Sequence, residues 1–375
     1  MPARGSKSHR PATRPPRAKN AKKKATKRNA TRQSSKRSAG GKAHRWESLP
    51  DHRLLDTRLR DLNLRIEGTP MEARIERVYE ELDARGIRVR PHTWLSTEWF
   101  SPDGIPGVGV PFYLAHPRLV KLERDKMFEV EGASLAECMR ILRHEMGHAV
   151  CTAYRLHRKP SFRKVFGSYS KPYPESYRPN PSSRAFVLHL DWWYAQAHPA
   201  EDFAETFAVW LKPGSKWRTQ YKGWPALKKL EYMDELMKGI RDKAPLVRSK
   251  ATVEAASRDS ITLRKYYARK QAFYSQETGD VLEKDLHRIF SNDPAFRRNL
   301  SAAAFLRAER AHIRRTVADW TGQFQYTIDQ VLSDIIERSR QLNLRLALSE
   351  EEARVHAMLM VAVHTLSSLK HRISL

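Results

Sequence analysis

Residues 144–148 read His-Glu-Met-Gly-His, and the fold of the chain can be worked out from this stretch outward. Residues four apart on an α-helix share a face and lie about 6 Å apart along its axis. His144 and His148 can therefore direct two imidazoles at one point that a metal ion would fill. Glu145 lies beside the first histidine and can take a proton from a water molecule at that metal. The pattern predicts a zinc site with Glu145 as the general base.

The helix that carries the two histidines is predicted independently of the motif. Ser134 can cap its N-terminus, and Glu137 can accept a hydrogen bond from the backbone amide of Ser134, which makes a capping box. Ile141 and Leu142 before the motif and Ala149 and Val150 after it are uncharged, whereas two ordinary surface histidines would be expected among charged neighbours. Apolar residues recur at the three- and four-residue spacing of a core helix: Leu135, Cys138, Met139, Leu142, Met146 and Val150.

Basic residues are concentrated at the start of the chain. The net charge is +27 over 375 residues, and residues 1–45 contain 16 of the lysines and arginines and no acidic residue. This segment lacks the apolar residues of a core, so we expect a disordered tail that can bind nucleic acid without sequence preference. We expect neither a signal peptide nor a membrane-spanning helix, because the tail has no apolar segment and no run of about 18 apolar residues occurs.

The two cysteines indicate a reducing environment. Cys138 and Cys151 both lie on the predicted metal-binding helix, which separates them by about 20 Å. A disulfide needs Cα atoms within about 7 Å of each other, so both thiols should be free. We therefore expect a cytoplasmic protein.

Helices and strands precede this helix in an α+β order. Residues 54–64 and 70–85 are predicted to be helices, and residues 87–95 and 107–114 are predicted to be strands. Pro111 restricts the second strand to the edge of a sheet or to a bulge.

Two segments could contact a substrate. The strand over residues 107–114 could hold an extended peptide by main-chain hydrogen bonds, or it could be an ordinary edge protected by its proline. Residues 169–181, which lie between the metal-binding helix and the next helix, are rich in tyrosine and proline. They are interpreted either as a lid over the site or as a surface connector, and the sequence slightly favours the connector.

A catalytic zinc normally has three protein ligands, so the histidine pair needs a third. The metzincin extension is excluded because Cys151 and Tyr154 occupy the positions where it requires glycine and histidine. Downstream, Pro199 opens a predicted helix on which Glu201 and Glu205 share one face. One of these carboxylates can bind the metal while the other, one turn away, holds a ligating imidazole by its second nitrogen.

The two motifs HEMGH and HPAEDFAETFAVWL resemble those of gluzincin metallopeptidases. They look most like the bacterial zinc-binding metallopeptidases related in their motifs to anthrax lethal factor, and the resemblance covers about residues 50–240. It implies a zincin-like fold, Glu201 as the third zinc ligand and Glu205 as the carboxylate that orients a ligating histidine. It also implies that Tyr194, seven residues before the ligand glutamate, assists the tetrahedral intermediate.

Other residues compete for these roles. Asp202 is a weaker candidate ligand because it points about 100° away from Glu201 around the helix, and Glu205 comes too late by the family pattern. Tyr194 is equally well interpreted as a core tyrosine. His198 is the rival oxyanion donor, or else a helix cap.

The remainder of the chain is predicted to be helical. Residues 302–346 follow a nearly continuous helical pattern, and a last helix begins at Ser349. Its inward side should consist of Val355, Met358, Leu359, Val363 and Leu366. We therefore predict three parts: a disordered basic tail over residues 1–45, a zincin-like α+β domain over 46–250, and a helical accessory domain over 251–375.

The predicted function is hydrolysis of a peptide or protein substrate by a zinc-activated water, with Zn²⁺ bound by His144, His148 and Glu201. The alternative is a nucleic-acid-associated protein whose zincin domain is structural or degenerate, and only the basic tail motivates it. The two functions are compatible, because a tail can tether an enzyme to nucleic acid. No membrane partner is expected.

Overall fold

The computed structural model describes residues 45–174, 177, 179–275 and 283–373. The predicted tail lies outside this part of the chain, apart from Arg45. The described residues are mostly helical with two small sheets, which agrees with the predicted α+β class at this level. None of the helices in this part of the chain is long and apolar enough to cross a membrane.

The elements follow in chain order. The α-helices are α1 Asp51–Leu54, α2 Pro70–Ala84, α3 Pro117–Met127, α4 Leu135–Ala153, α5 Pro160–Phe166, α6 Pro199–Leu211, α7 Trp217–Gln220, α8 Ala226–Lys238, α9 Leu263–Tyr274, α10 Glu283–Leu286, α11 Ala302–Thr321, α12 Gln325–Gln341 and α13 Glu350–Ile373. The strands are β1 His92–Ser96, β2 Gly107–Pro111, β3 Phe290–Ser291 and β4 Arg345–Leu346. Short 3₁₀ segments are Leu59–Leu62, Phe112–Ala115, Leu156–Arg158, Asp191–Gln196, Ala256–Arg258 and Pro294–Phe296.

The helix predicted over residues 54–64 is instead divided into α1 and a 3₁₀ segment. The chain leaves helical conformation between them because it pairs with the segment that leads into α9. The amide of Leu59 donates to the carbonyl of Ile261 at 2.9 Å, and the amide of Leu263 donates to the carbonyl of Thr57 at 2.9 Å. Tertiary pairing therefore overrides the apolar spacing of this stretch.

The strands β1 and β2 pair in parallel and are shorter than the predicted ranges 87–95 and 107–114. β1 begins only after Pro91, and β2 ends at Pro111 before a 3₁₀ segment. A proline limits each strand, because proline has no amide hydrogen to donate to the hydrogen bonds of the sheet.

Gly109, in the middle of β2, forms backbone hydrogen bonds with Phe100 on the edge that faces away from β1. The amide of Gly109 donates to the carbonyl of Phe100 at 2.8 Å, and the reverse bond is 3.3 Å long. The ring of Phe100 also fills the place of a side chain at Gly109. At this position β2 therefore offers no open edge on which an extended peptide could pair.

The centre of the fold is the contact between α4 and α6. The hydroxyl of Ser134 accepts from the amide of Glu137 at 3.1 Å, as the predicted cap requires. Every residue from Ile141 to Ala153 is buried. Gly147 allows the two helices to approach closely, because a Cβ there would lie 3.0 Å from the Cα of Ala204.

The buried apolar residues form two clusters. The first runs from Trp46 to Tyr267 and includes α4, α6 and three residues of α9. The second runs from Leu286 to Val361 and joins α11, α12 and α13 to the β3–β4 pair. The packing thus includes α9 with the first cluster, although the domain boundary was predicted at residue 250. That boundary stays a prediction about independent folding.

The face of α13 that packs inward differs from the prediction. Met358 packs against the second cluster as predicted. Val355, Leu359, Val363 and Leu366 are instead exposed, and the residues buried in the cluster are Ala353, Ala357, Met360 and Val361. The apolar residues of α13 fit a helical period on either of two faces. The face with the two alanines can lie closer to α11 and α12, since small side chains permit close packing.

Candidate metal centre

Three predicted ligands converge between α4 and α6. His144 and His148 come from α4 and Glu201 from α6, and their ligand atoms all lie within 4.8 Å of one another. Oε2 of Glu201 is 3.0 Å from Nε2 of His144 and 3.1 Å from Nε2 of His148, and the two Nε2 atoms are 3.2 Å apart. Ligands of a tetrahedral zinc at about 2.0–2.1 Å would be about 3.3 Å from each other. The donor types and their spacing therefore fit a zinc ion.

Glu205 is one turn further along α6 and orients the first histidine. Its Oε1 accepts from Nδ1 of His144 at 2.7 Å, and its Oε2 accepts from the amide of Leu190 at 2.8 Å. With Nδ1 as the donor, Nε2 of His144 presents its lone pair to the centre of the cluster. Glu205 itself lies outside the set of converging ligand atoms.

Charges within the cluster shift the pKa values of two groups. Burial by itself lowers the pKa of His144, but hydrogen bonds with Glu201 and Glu205 raise it well above its usual value. Burial by itself raises the pKa of Glu201, but His148 and His144 hold it well below its usual range. Metal binding to a cluster of this kind releases protons, because the ligands must be deprotonated.

Glu145 lies on the same turn of α4 and is buried. Burial raises the pKa of its carboxyl, and the neighbouring His144 and His148 act in the opposite direction. A buried carboxyl with a raised pKa is a stronger base than an exposed one, which suits proton transfer near neutral pH.

Asp202 and His198, the rival candidates, have other contacts. Asp202 points away from the cluster and forms a buried ion pair with Lys229, with Nζ and Oδ2 2.7 Å apart. Nδ1 of His198 accepts from the amide of Ala200 at 3.1 Å, so His198 caps α6. Its Nε2 donates to the carbonyl of Lys171 at 2.7 Å. Both ring nitrogens of His198 are therefore engaged away from the ligand atoms.

Tyr194 lies against His144. Its buried ring is 5.6 Å from the ring of His144, measured between centroids. Burial, followed by the charge of Glu201, raises the pKa of Tyr194 well above its usual value. The phenol therefore keeps its proton at neutral pH and can act as a hydrogen-bond donor.

Tyr173 is a site residue that the sequence did not single out. Its hydroxyl donates to Oε1 of Glu201 at 2.5 Å, and its ring stacks on His198 with centroids 3.8 Å apart. The only sequence indication was the tyrosine- and proline-rich composition of residues 169–181. Tyr173 thus brings this part of the segment into contact with Glu201, and whether the segment is a lid or a surface connector stays a prediction.

Comparison with known proteins finds a family match over the same region of the chain. Residues 124–237, which include both α4 and α6, match the family described as "Putative zinc-binding metallo-peptidase". The chain is thus similar to a zinc-binding peptidase family over the segment that contains the cluster, which supports a hydrolase in general terms. No match was found among curated proteins or among solved structures.

Proposed function

We propose that the protein is a zinc metallopeptidase of the gluzincin type. The observation that carries the proposal is the convergence of His144, His148 and Glu201 at the spacing of a tetrahedral site. The hydrogen bond from His144 to Glu205 adds support, because metal-binding histidines are commonly oriented by a carboxylate on the second nitrogen.

The reaction follows from the residues around the cluster. A zinc ion bound there would lower the pKa of a bound water to about 7 and polarise the scissile carbonyl. Glu145 takes one proton from the water while the water oxygen bonds to the carbonyl carbon. Glu145 then delivers that proton to the amine as the carbon–nitrogen bond breaks. His144 keeps its Nε2 lone pair directed at the centre because Nδ1 donates to Glu205.

Two tyrosines complete the proposed machinery. Tyr194 would donate a hydrogen bond to the oxyanion that develops on the carbonyl oxygen, since it is buried beside the cluster and stays protonated. Tyr173 engages Oε1 of Glu201 and leaves Oε2 facing the histidines. It therefore fixes the orientation of the carboxylate from a segment outside α4 and α6.

The substitution Glu145→Gln tests the mechanism. The variant should retain the fold and about one zinc per chain, because Glu145 is not a ligand, while cleavage of a peptide pool falls at least about 10²-fold. Zinc content is measured by elemental analysis and cleavage by mass spectrometry. Glu231→Gln, at an exposed position of α8, is the matched control and should cleave like the wild type. Equal turnover by Glu145→Gln and the wild type would overturn the mechanism, and no turnover by either would favour a pseudoenzyme.

A further inference from the structure

The two oxygens of the Glu201 carboxylate have different partners. Oε2 lies 3.0 Å from Nε2 of His144 and 3.1 Å from Nε2 of His148, at the centre of the candidate metal site. Oε1 accepts instead from the hydroxyl of Tyr173 at 2.5 Å, the length of a strong hydrogen bond to an ionised carboxylate. One oxygen therefore faces the position of the metal, and the other is engaged by a residue of a different segment.

His198 holds that segment at the start of α6, three residues before Glu201. Its Nδ1 accepts from the amide of Ala200 at 3.1 Å, which fixes the ring at the N-terminus of the helix. Because Nδ1 accepts, the proton of the neutral ring lies on Nε2, which donates to the carbonyl of Lys171 at 2.7 Å. The ring of His198 is buried. It therefore fixes the backbone of residue 171 against the start of α6.

Tyr173 stacks on the same imidazole. The centroids of the two rings are 3.8 Å apart, and the ring planes are inclined by 15°. His198 thus contacts the segment at the carbonyl of Lys171 and again at the ring of Tyr173. The hydroxyl that reaches Glu201 is therefore placed by a ring that is itself fixed. We call the four residues Lys171, Tyr173, His198 and Glu201 the clasp.

Two prolines stiffen the outer side of the clasp. The sequence reads Lys171-Pro172-Tyr173-Pro174. Proline fixes its own φ and restricts the residue before it to extended conformations, so Lys171 and Tyr173 are both restricted. Because much of this conformational freedom is already absent in the unfolded chain, the segment loses little entropy when it joins α6. The sequence thus preorganises the contact of Tyr173 with Glu201.

The engagement of Oε1 matters because a carboxylate can bind a metal through one oxygen or through both. A catalytic zinc has three protein ligands and keeps a fourth position for water. A second oxygen of Glu201 could take that position beside Oε2. With its Oε1 held by the hydroxyl of Tyr173, Glu201 offers Oε2 alone.

We propose that His198 is a positioning residue that acts through Tyr173, and that the two together make Glu201 a one-oxygen ligand. The clasp thereby reserves the fourth position of the metal for the water that Glu145 deprotonates. This role deepens the proposed function and rests on it for the parts played by Glu201 and Glu145. Because it concerns how a ligand is held, metal binding tests it separately from catalysis.

Tyr173→Phe in the full-length protein loaded with cobalt(II) tests the proposal. The variant keeps the stacked ring and loses only the hydroxyl, so Oε1 should join Oε2 on the metal. The visible absorption of the cobalt should then lose most of its intensity, because five-coordinate cobalt absorbs more weakly than four-coordinate cobalt. Metal affinity should be retained. For a peptide that the wild type cleaves, kcat should fall by about 10- to 100-fold with KM little changed.

Tyr232→Phe is the matched control. The hydroxyl of Tyr232 also makes a side-chain hydrogen bond, 3.0 Å from Oγ of Ser161, with no member of the metal site involved. This variant should keep the wild-type cobalt spectrum and the wild-type kcat. An unchanged spectrum in Tyr173→Phe would overturn the proposal, and if metal affinity fell at the same time, the hydroxyl would serve affinity and not the coordination number.

His198→Asn tests the positioning role. Asparagine is among the best N-caps, so α6 keeps its cap while the stack on Tyr173 and the hydrogen bond to Lys171 are lost. The cobalt spectrum should change as it does in Tyr173→Phe. The double variant should change it no further, because both substitutions remove the same contact with Glu201. A wild-type spectrum in His198→Asn would show that His198 does not act through Tyr173. If asparagine prevents folding, His198→Ser, with an equally good cap, decides the question.

The chain contains a matched histidine cap for this comparison. His116 caps α3 in the same His-Pro sequence, and its Nδ1 accepts from the amide of Arg118 at 3.1 Å. Its ring packs on Trp46, with centroids 4.8 Å apart, and not on a residue of the metal site. His116→Asn should therefore lower stability to urea about as much as His198→Asn does. Its cobalt spectrum should be that of the wild type, and equal spectral changes in the two variants would mean that only stability had been lost.

Two outcomes separate the clasp from the proposed function. Should the wild type bind cobalt but cleave no peptide, the proposed function fails at the activity assay, and the spectra of the variants still decide whether the clasp sets the coordination of the metal. Should Glu201→Ala keep the metal affinity of the wild type, Glu201 is not a ligand, and the clasp is wrong together with the ligand assignment.

Discussion

The two nitrogens of His144 have separate partners, and this division decides what the residue can do. Nδ1 donates to Glu205 and Nε2 faces Glu201, so the two carboxylates hold the ring in one orientation. Nε2 of His148 lies 3.1 Å from the same carboxylate oxygen, Oε2 of Glu201. The cluster is therefore preorganised, and each of its members should matter for metal affinity in a different way.

The assignment of Glu201 as the third ligand can be tested by a single substitution. Glu201→Ala should lose most of the bound zinc, because two histidines alone leave the site without a carboxylate ligand. The matched control is Asp202→Asn, which alters the adjacent carboxyl paired with Lys229 and should keep about one zinc per chain. Both are measured by elemental analysis after dialysis against a weak chelator. Wild-type zinc retention in Glu201→Ala would show that the third ligand lies elsewhere.

Among the secondary-structure elements, the pair α4 and α6 determines the distance between the histidines and Glu201. The close approach depends on Gly147, since a Cβ there would lie 3.0 Å from the Cα of Ala204 and 3.1 Å from the ring of Phe207. A single atom at this crossing therefore affects the spacing of the ligands, although Gly147 bears no ligand itself.

Gly147→Ala is expected to weaken zinc binding more than it weakens the fold. Alanine gains about 1 kcal/mol of helix propensity over glycine, whereas forcing a methyl group into this contact costs about 1–3 kcal/mol. The helices must separate by a few tenths of an ångström, and zinc affinity should fall. Ala136→Gly, at an exposed position of α4, changes only propensity and should leave zinc affinity unchanged. Competition with a fluorescent chelator gives both affinities, and equal values would contradict this role of Gly147.

The sequence predicted α4 and the start of α6 because both begin at recognisable caps and repeat apolar residues at helical spacing. It could not show that Tyr173 reaches Glu201, since no local pattern relates a proline-rich segment to a carboxylate on a later helix. The left-handed backbone of Trp192 and Trp193 was equally hidden, because tryptophan has no preference for positive φ. The exposed face of α13 was missed because two apolar faces compete in its sequence.

Across the whole molecule, α9 connects the first apolar cluster to the C-terminal helices and is anchored by a buried charge pair. Nζ of Lys270 lies 2.6 Å from Oε1 of Glu123 on α3, and Glu123 is 1% exposed. Burial raises the pKa of Glu123 above its ordinary 4.5, and the charge of Lys270 opposes that rise. Removal of the lysine should therefore raise the pKa of Glu123 further.

Lys270→Met should make stability depend on pH in a defined direction. A carboxyl whose pKa is higher in the folded than in the unfolded state contributes most stability below the unfolded value, and loses it as pH rises toward the folded value. The variant should thus lose about 3–5 kcal/mol at pH 8 and less at pH 4–5, where Glu123 is protonated. Urea unfolding at both pH values measures this, with the exposed Lys265→Met as control. A loss independent of pH would mean that Glu123 does not titrate as described.

The basic tail raises a question about the whole chain, namely whether nucleic acid binding and catalysis are separable. Residues 1–45 carry 16 positive charges and no acidic residue, so the binding they confer should be to phosphates, driven by counterion release and independent of sequence. If about six charges engage phosphates at once, affinity for duplex DNA should fall by roughly 10³-fold between 50 and 200 mM salt.

A chain that begins at Ala43 lacks almost all of this charge but retains every proposed ligand and Glu145. It should lose most DNA affinity and keep its peptidase activity, measured on the same samples as a salt titration of DNA binding. Binding that survives truncation would assign the nucleic acid contacts to another surface, with the basic side chains of the C-terminal helices as the next to test. A truncated protein that holds zinc but cannot cleave would mean that the tail captures the substrate, because the catalytic residues themselves would be unchanged.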